Sequence, residues 1–504
     1  MSTKFRPIGK CTVPAARRHS RRLAFQRFHS LYPFHRTLHP PSPSMLAATA
    51  LSLPTQLCRI EIVEAGDACT AWPVPGVELR TVHGVRFVSD NSGLIAFDLP
   101  ELMGRETWLS LHGHGYSVSD QALTKTMGFC GVCVVPAPGK TIRVAVERKI
   151  LARRLGRMTG GGLFAEAHKL GHHLDCVESG VLGADSVVTA EFGGRMLWFW
   201  GDTRLAHHPL GIFNVSAAYT DHFLPPLMPP LRPPFTYISK RKTAHSEMRP
   251  RGVAAVPGDG PTWIWGAVTL PDAQGTPRLV AAAVKIRDKL HAYRWHLVEW
   301  NAREEMFQPI ETVWSEDAAH PKPPPVPEGH AVPWTDHEGR DCILFCRPFP
   351  ILRTPATYEG WRDSKTWQPL IAATSATTPG GQAIPVHRGH IAWHPWRRKW
   401  LAIFTQRGGT SSSLGEIWLA EASDPVGPYI AAHKVLSHDA YTFYNPVLHP
   451  QFFRADSPLV YFEGSYTSEF SGNKMPTPRW DYNQVMYQVD LSLPPFTEEK
   501  EMRA

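Results

Sequence analysis

Between residues 59 and 150, apolar and polar positions alternate with a period of two in short runs. They are "RIEIVEA", "VELRTV", "VRFVSD", "LIAFDL", "TWLSLHG", "GVCVVP" and "TIRVAVERKI". Successive side chains of a strand point to opposite faces, so this pattern predicts strands with one buried face. Turn residues separate them, most clearly "SDNSG" at 89–93. Short strands at this density predict a β-sandwich over residues 58–150. The alternation then fails: residues 151–177 read as a helix-compatible linker broken by Gly160, Gly161 and Gly162.

From residue 178 the strand pattern returns with an aromatic emphasis and repeats five times. The units are "GGRMLWFWGDTR" (193–204), "TWIWGAVTL" with "LVAAAVKI" (262–286), "GRDCILFCRPF" (339–349), "RRKWLAIFTQR" with "LGEIWLAEASD" (397–424) and "DSPLVYFEGSYT" with "YNQVMYQVDL" (456–491). Each unit fits one antiparallel blade, so residues 178–492 predict a five-bladed β-propeller, with a larger sandwich or jelly roll as the alternative. The last unit, from 477 to 491, is expected to close the ring against the first blade. Residues 493–504 are a polar tail. The proline clusters at 225–234 and 321–327 cannot join a central ladder and are expected as stiff loops, the more so beside a binding cleft.

Charge alters this picture mainly at the N-terminus. The formal net charge is +8, yet residues 1–44 hold nine Lys and Arg and no acid, leaving 44 basic against 45 acidic residues elsewhere. A neutral body lacks the footprint of a nucleic-acid-binding protein. The basic leader precedes "MLAATALSLPTQL" (45–57), so residues 1–57 read as a leader with an export signal, the alternative being a basic tail. The apolar run is too short to span a bilayer, so no integral membrane segment is expected, and the protein is expected to be periplasmic, surface-bound or secreted. Cys130 and Cys133 form a lone C-x-x-C without zinc-site spacing. In an exported chain, Cys58, Cys69, Cys130 and Cys133 are available for disulfides, with no pairing fixed.

A propeller gathers the ends of its strands around a central funnel, so polar residues that end aromatic strands are the candidates for chemistry. Asp202 ends "LWFWGD" in phase with Trp198 and Trp200; Glu463 follows "LVYF"; Arg347 ends "CILFC"; Arg388 and His390 precede "IAWHP". Two facing carboxylates can hydrolyse a glycosidic bond, one as proton donor and one activating water or attacking the sugar. Aromatic faces pack on sugar C–H groups. The candidate set is Asp202 and Glu463 as the catalytic pair, with Trp200, Arg204, Arg347, Arg388, His390, Tyr444 and Asn445 binding substrate. Asp202 could equally cap a turn, and Glu463 could equally serve a neighbouring Arg. His207 and His208 are adjacent on a strand and point apart, which disfavours a shared metal ion.

The stretches "FWGDTRLAHHPLGIF", "SLGEIWLAEASDPVGPY", "YNPVLHPQFF" and "VYFEGSYTSEFSGN" resemble five-bladed β-propeller glycoside hydrolases, the arabinanase/xylosidase family 43 clan and its relatives. The order of Ser89-Asp90, Gly93, Phe97, Gly115 and Tyr116 resembles the carboxypeptidase-regulatory-like, or transthyretin-like, sandwich. The all-β fold implied is an Ig/transthyretin-like sandwich followed by a five-bladed propeller. The first resemblance implies a Glu acid, an Asp base and a second Asp tuning the acid. That third carboxylate is not found: Asp424 belongs to the "SDPVGPY" turn, and Glu416 and Glu247 are weak substitutes. No cofactor is assignable, although the resemblance leaves room for a central calcium ion.

The leading expectation is an exported glycoside hydrolase acting on a polysaccharide or oligosaccharide. The alternative is a non-catalytic glycan-binding or scaffold propeller. A third reading, a polysaccharide lyase, draws on Tyr441, Tyr444, Arg388 and His390.

Overall fold

Strands in the first part of the chain bury alternate residues, as the period-two pattern demands: Cys58, Ile60 and Ile62 lie inside while Arg59 and Glu61 reach the surface. The computed structural model describes residues 56–65, 72–118, 129–176, 178–221, 227–241, 248–288 and 290–497. Residues 1–55, which hold all but the last two residues of the expected leader and export signal, and Cys69 and Glu247 lie outside the described residues. One sheet contains Cys58–Glu64, Trp72–Pro73, Leu94–Phe97, Tyr116–Ser117 and Thr141–Arg148, with Cys58–Glu64 running parallel to Thr141–Arg148. The other contains Glu78–Thr81, Arg86–Val88, Thr107–His112 and Gly131–Val134. Ile60, Ile62, Phe97 and Val146 of the first meet Leu79, Leu109, Leu111 and Val132 of the second in one core, which makes the pair a sandwich. Cys58, Cys130 and Cys133 are unpaired thiols here, as are Cys176, Cys342 and Cys346, so no disulfide joins the described cysteines.

Among the described residues, five antiparallel sheets of four or five strands follow, with a three-stranded and a two-stranded sheet beside them. The strands of the five larger sheets that face one another are Val187–Phe192, Thr262–Pro271, His330–Thr335, Ala383–His394 (preceded in its sheet by Ser375–Thr377) and Thr442–Leu448. Each of these packs beside the next, and the fifth beside the first. A closed ring of five innermost strands is a five-bladed propeller, and the chain is all-β in class. Its aromatic strands are legible because each blade buries both faces. In the first blade, Phe199 packs toward the second blade with Ile264, Trp300 and Phe307. Trp198 and Trp200 pack the opposite way, with Val447, Tyr461 and Met486 of the fifth.

Residues 151–177 are not a simple linker. Arg153–Arg157 is a strand that pairs with Asn483–Asp490 and becomes the outermost strand of the fifth blade, and only Ala165–Lys169 is helical. The ring is therefore completed by residues that precede the first blade, and 477–491 does not pair with the first blade's own strands. Charge disguised this strand: Arg154 and Arg157 are buried, which a charged run rarely is without partners. The Arg154 guanidinium donates to the carbonyls of Pro75, Gly76 and His114 at 3.1, 3.0 and 2.6 Å and to the Tyr487 hydroxyl at 3.1 Å. Arg157 donates to the carbonyls of Arg479, Gly161 and Gly162. Asn91, in the turn read from "SDNSG", donates to the Arg157 and Leu231 carbonyls and accepts from Arg157 N at 2.9 Å. Buried hydrogen bonds thus mortise the sandwich onto the last blade.

The proline-rich loops are only partly at the surface. Leu227 and Leu231 of the first are buried against the Trp198 and Trp200 cluster, and Val326 of the second is buried below exposed prolines. The second loop leads directly into Glu328.

Candidate active site at the mouth of the propeller

The N-terminal ends of the five inner strands, with the turns that follow the second strands, all open on one face. This follows from register: Val187 pairs with Trp200, His330 with Cys346, Val386 with Gln406 and Thr442 with Thr467. Residues just outside those pairs must share that face.

In the first blade, they are Asp185 and Asp202. Gly201 N donates to the Asp185 carbonyl at 2.8 Å and Asp185 N to the Asp202 carbonyl at 3.3 Å, which holds the two residues side by side. The Asp185 carboxylate accepts from the Tyr444 hydroxyl at 2.6 Å and also from Tyr482, and Asp202 Oδ1 accepts from Trp263 Nε1 at 3.1 Å. Burial, then the neighbouring charge of Asp202, pushes the Asp185 carboxyl up to about 7. Burial, reinforced by Glu469 and opposed by the Trp263 N–H, pushes Asp202 up to about 6. Two interacting carboxyls in this range titrate as a pair and retain a proton close to neutrality. Asp185 has no aromatic strand before it, only the short Val181–Ala184, so nothing in the local pattern marked it.

The strand phase that placed Asp202 beside Trp198 and Trp200 does not survive. The ladder ends at Trp200, and at Gly201 the chain turns, so Asp202 meets Trp263 of the second blade while both tryptophans face the fifth. Trp200 is 1% exposed and stacks on Tyr237, so it offers no face to a ligand. Trp263 and Trp265, on one face of the second inner strand and both partly exposed, take that position instead. Gly201 is required here: a Cβ on it would fall well inside contact distance of Asp185 Oδ1.

Across the ring, Glu328 is gripped by two arginines from different blades, Arg347 Nη1 at 2.5 Å and Arg388 Nη2 at 3.0 Å. Burial pushes its carboxyl up, but the Arg388 and Arg347 charges and hydrogen bonds outweigh that and hold it below the ordinary glutamate value. The Arg388 guanidinium also lies 5.3 Å from the Trp265 ring centroid. A continuous path runs from Asp185 and Asp202 through Trp263 and Trp265 to Arg388 and Glu328. Glu328 was missed because "PEGH" has no strand before it, only the proline loop.

The remaining candidates divide. Arg204 bridges Asp481 and Glu469, each at 3.1 Å, and covers Tyr482 at 4.0 Å. Tyr444 and Asn445 hold Asp185 and Ser186, the latter at 2.8 Å. Tyr441 hydrogen-bonds Asp481 at 2.8 Å. Tyr444 and Asn445 thus support the Asp185 segment from the fifth blade, whereas Arg204 and Tyr441 meet at Asp481. His390 is a hub residue: its Nδ1 donates to the Leu448 carbonyl at 3.1 Å, its ring sits 4.7 Å from His330, and burial holds it neutral, well below the ordinary histidine value.

Glu463 is not at the mouth. Its strand runs on to Thr467, so the residue lies mid-strand, fully buried, with His449 Nε2 2.8 Å from its Oε1. Gln451 donates to His449 Nδ1 at 3.0 Å. A carboxylate sealed between blades cannot protonate a leaving group. Asp424 accepts from Val426 N as a turn cap, and Glu416 accepts from Thr410 and Ser411, so neither reaches the site. His207 is exposed, and among the described residues no group of three or more His, Cys, Asp or Glu is arranged to hold a metal. Among them no helix is long and apolar enough to cross a membrane.

The raised Asp202 carboxyl has a stability consequence. Native Asp202 keeps its proton to about pH 6, whereas the unfolded residue releases it near ~4. The native state is therefore increasingly disfavoured as pH rises from ~4 through about 6, and the cost is complete above that. Asp202→Asn removes the charge and still accepts from Trp263. It is expected to stabilise the protein by roughly 1–3 kcal/mol at pH 8 and by nothing below pH ~4, as read by paired denaturation curves.

No family profile matches the chain, and no characterised protein matches it in sequence. Solved structures with similar strand arrangements include an exo-1,5-α-L-arabinanase from a bovine ruminal metagenomic library, at 11% identity over 62% of this chain and 94% of that one, with a TM-score of 0.34. An exo-β-1,3-galactanase from Phanerochaete chrysosporium, solved with β-1,3-galactotriose, matches at 10% identity over 62% and 61%, with a TM-score of 0.36. A GH43_1 enzyme from Xanthomonas citri, solved with xylotriose, matches at 8% over 61% and 86%, with a TM-score of 0.32.

Proposed function

We propose that the protein is a glycoside hydrolase, exported to act on a polysaccharide or oligosaccharide held in the mouth of the propeller. The observation that carries this reading is the Asp185–Asp202 pair, which holds a proton near neutrality beside the exposed face of Trp263. Glycosidic cleavage needs a proton for the leaving oxygen and a second, ionised carboxylate to activate water or attack the sugar. Resting protonation assigns the roles: the first-blade pair is the acid, and Glu328, kept ionised by Arg347 and Arg388, is the base. Trp263 and Trp265 supply the wall against which a sugar ring packs, and Tyr444 and Tyr482 orient the acid.

The test is a panel of plant, algal and bacterial-wall polysaccharides with reducing-sugar detection, run on the wild type and on Asp185→Asn. Release of sugar that disappears in the variant supports the reading. Saccharide binding by both proteins with no release of sugar would make the mouth a glycan-binding site instead. No binding and no release across the panel would remove the saccharide reading.

Gly201→Ala tests the positioning of the acid. The added methyl group must displace Asp185 Oδ1. On the substrate the panel identifies, kcat is expected to fall by about 10²-fold with KM little changed, since binding groups elsewhere in the mouth are untouched.

A further inference from the structure

Arg347 and Arg388 also line a cleft of about 750 Å³ between the third and fourth blades. Its floor is apolar, with Phe349 and Val386, and its polar rim is basic: Arg347, Arg388, Arg407 and His387, with no acidic residue in the lining. Glu328 underlies Arg347 and Arg388 and neutralises one of these charges. Arg407 has no ion-pair partner among the described residues, only a long 3.4 Å contact from its Nε to the Val386 carbonyl. Arg388 Nη1 and His387 Nδ1 are buried without a hydrogen-bond partner among the described residues. Unpartnered buried polar atoms are costly, so their persistence beside an open cleft marks a place where a ligand completes the bonding. Burial, with Arg388 and Arg407 nearby, holds His387 down to about 4, so it hydrogen-bonds as a neutral ring and the guanidinium groups alone supply charge.

We propose that this cleft binds the anionic group of an acidic saccharide, a carboxylate or a sulfate, through Arg388 and Arg407 with Arg347 at its rim. The inference rests on the saccharide reading of the mouth and names its substrate class: a polyuronide or a sulfated glycan rather than a neutral one. Planar guanidinium forks match both oxyanions, and the apolar floor accommodates the sugar ring that carries them.

Calorimetric titration of the full chain carrying Asp185→Asn, which is expected to turn a saccharide over far more slowly, tests it with three probes. They are trigalacturonate, its methyl ester and a sulfated oligosaccharide of equal length. Tighter binding of either anionic probe than of the methyl ester, by about tenfold or more and weakening with added salt, is the expected result, and the better of the two identifies the group. Arg407→Gln, which breaks no internal ion pair, is expected to erase about tenfold of that preference. Methyl ester binding equal to the acid, or preference unchanged in both Arg407→Gln and Arg347→Gln, overturns the proposal while leaving hydrolysis of a neutral glycan standing. Binding of free inorganic sulfate with no saccharide bound overturns it together with the saccharide reading.

Discussion

Asp185→Asn is expected to lower kcat/KM on the natural polysaccharide by about 10²–10⁴-fold, the contribution of a positioned general acid. The amide oxygen still accepts from Tyr444, so the fold should hold. The proton is gone. Aryl glycosides with activated leaving groups need little protonation, so they should retain most of their rate in this variant. Glu328→Gln should behave differently, losing cleavage of both substrate types, because the nucleophilic or water-activating step is common to both. A reversal, with aryl glycosides spared by Glu328→Gln and lost in Asp185→Asn, would exchange the two roles. The pH profile is a second check. Activity should fall on the alkaline side as the pair gives up its proton near the about-6 and about-7 limits set by burial and mutual repulsion.

The other large effect is structural. Arg154→Leu removes four hydrogen bonds and leaves the Pro75, Gly76 and His114 carbonyls without their cation. Each buried polar group stripped of its partner costs about 1–3 kcal/mol, so a loss of at least ~3 kcal/mol is expected in denaturant titration. Leucine fills part of the volume, which separates the polar term from a simple cavity. A loss under ~1 kcal/mol would show that water replaces the guanidinium and that the junction is wet.

Much of the architecture was legible because it depends on a local signal. Alternation in "TIRVAVERK" and the aromatic strands of each blade reports burial on one face or two, and needs no partner to be read. The site was less so. Asp202 stood out because it ends an aromatic strand, but its neighbour Asp185 becomes a partner only when Val187 pairs with Trp200. Glu328 likewise depends on Arg347 and Arg388 arriving from two other strands. Glu463 shows the converse error. Glu463 reads as the end of the aromatic run "LVYF", but the strand continues to Thr467 through Gly464, where the Phe443 ring occupies the place of a side chain. Arg154 and Arg157 fell inside the segment read as a helix-compatible linker; their acceptors include carbonyls of distant turns, which no residue pattern displays.

The outermost strand of the last blade, Arg153–Arg157, has a consequence for the order of synthesis. On the ribosome it emerges before any blade exists, yet its partner Asn483–Asp490 is made only after the other strands of all five blades. The ring therefore stays open until that last strand has been made, and closing so long a loop is entropically slow. The finished sandwich must wait with one strand edge unclaimed. A fragment that starts at the first blade would leave the ribosome with no clasp at all, its final strand exposed as an edge prone to pairing with other chains.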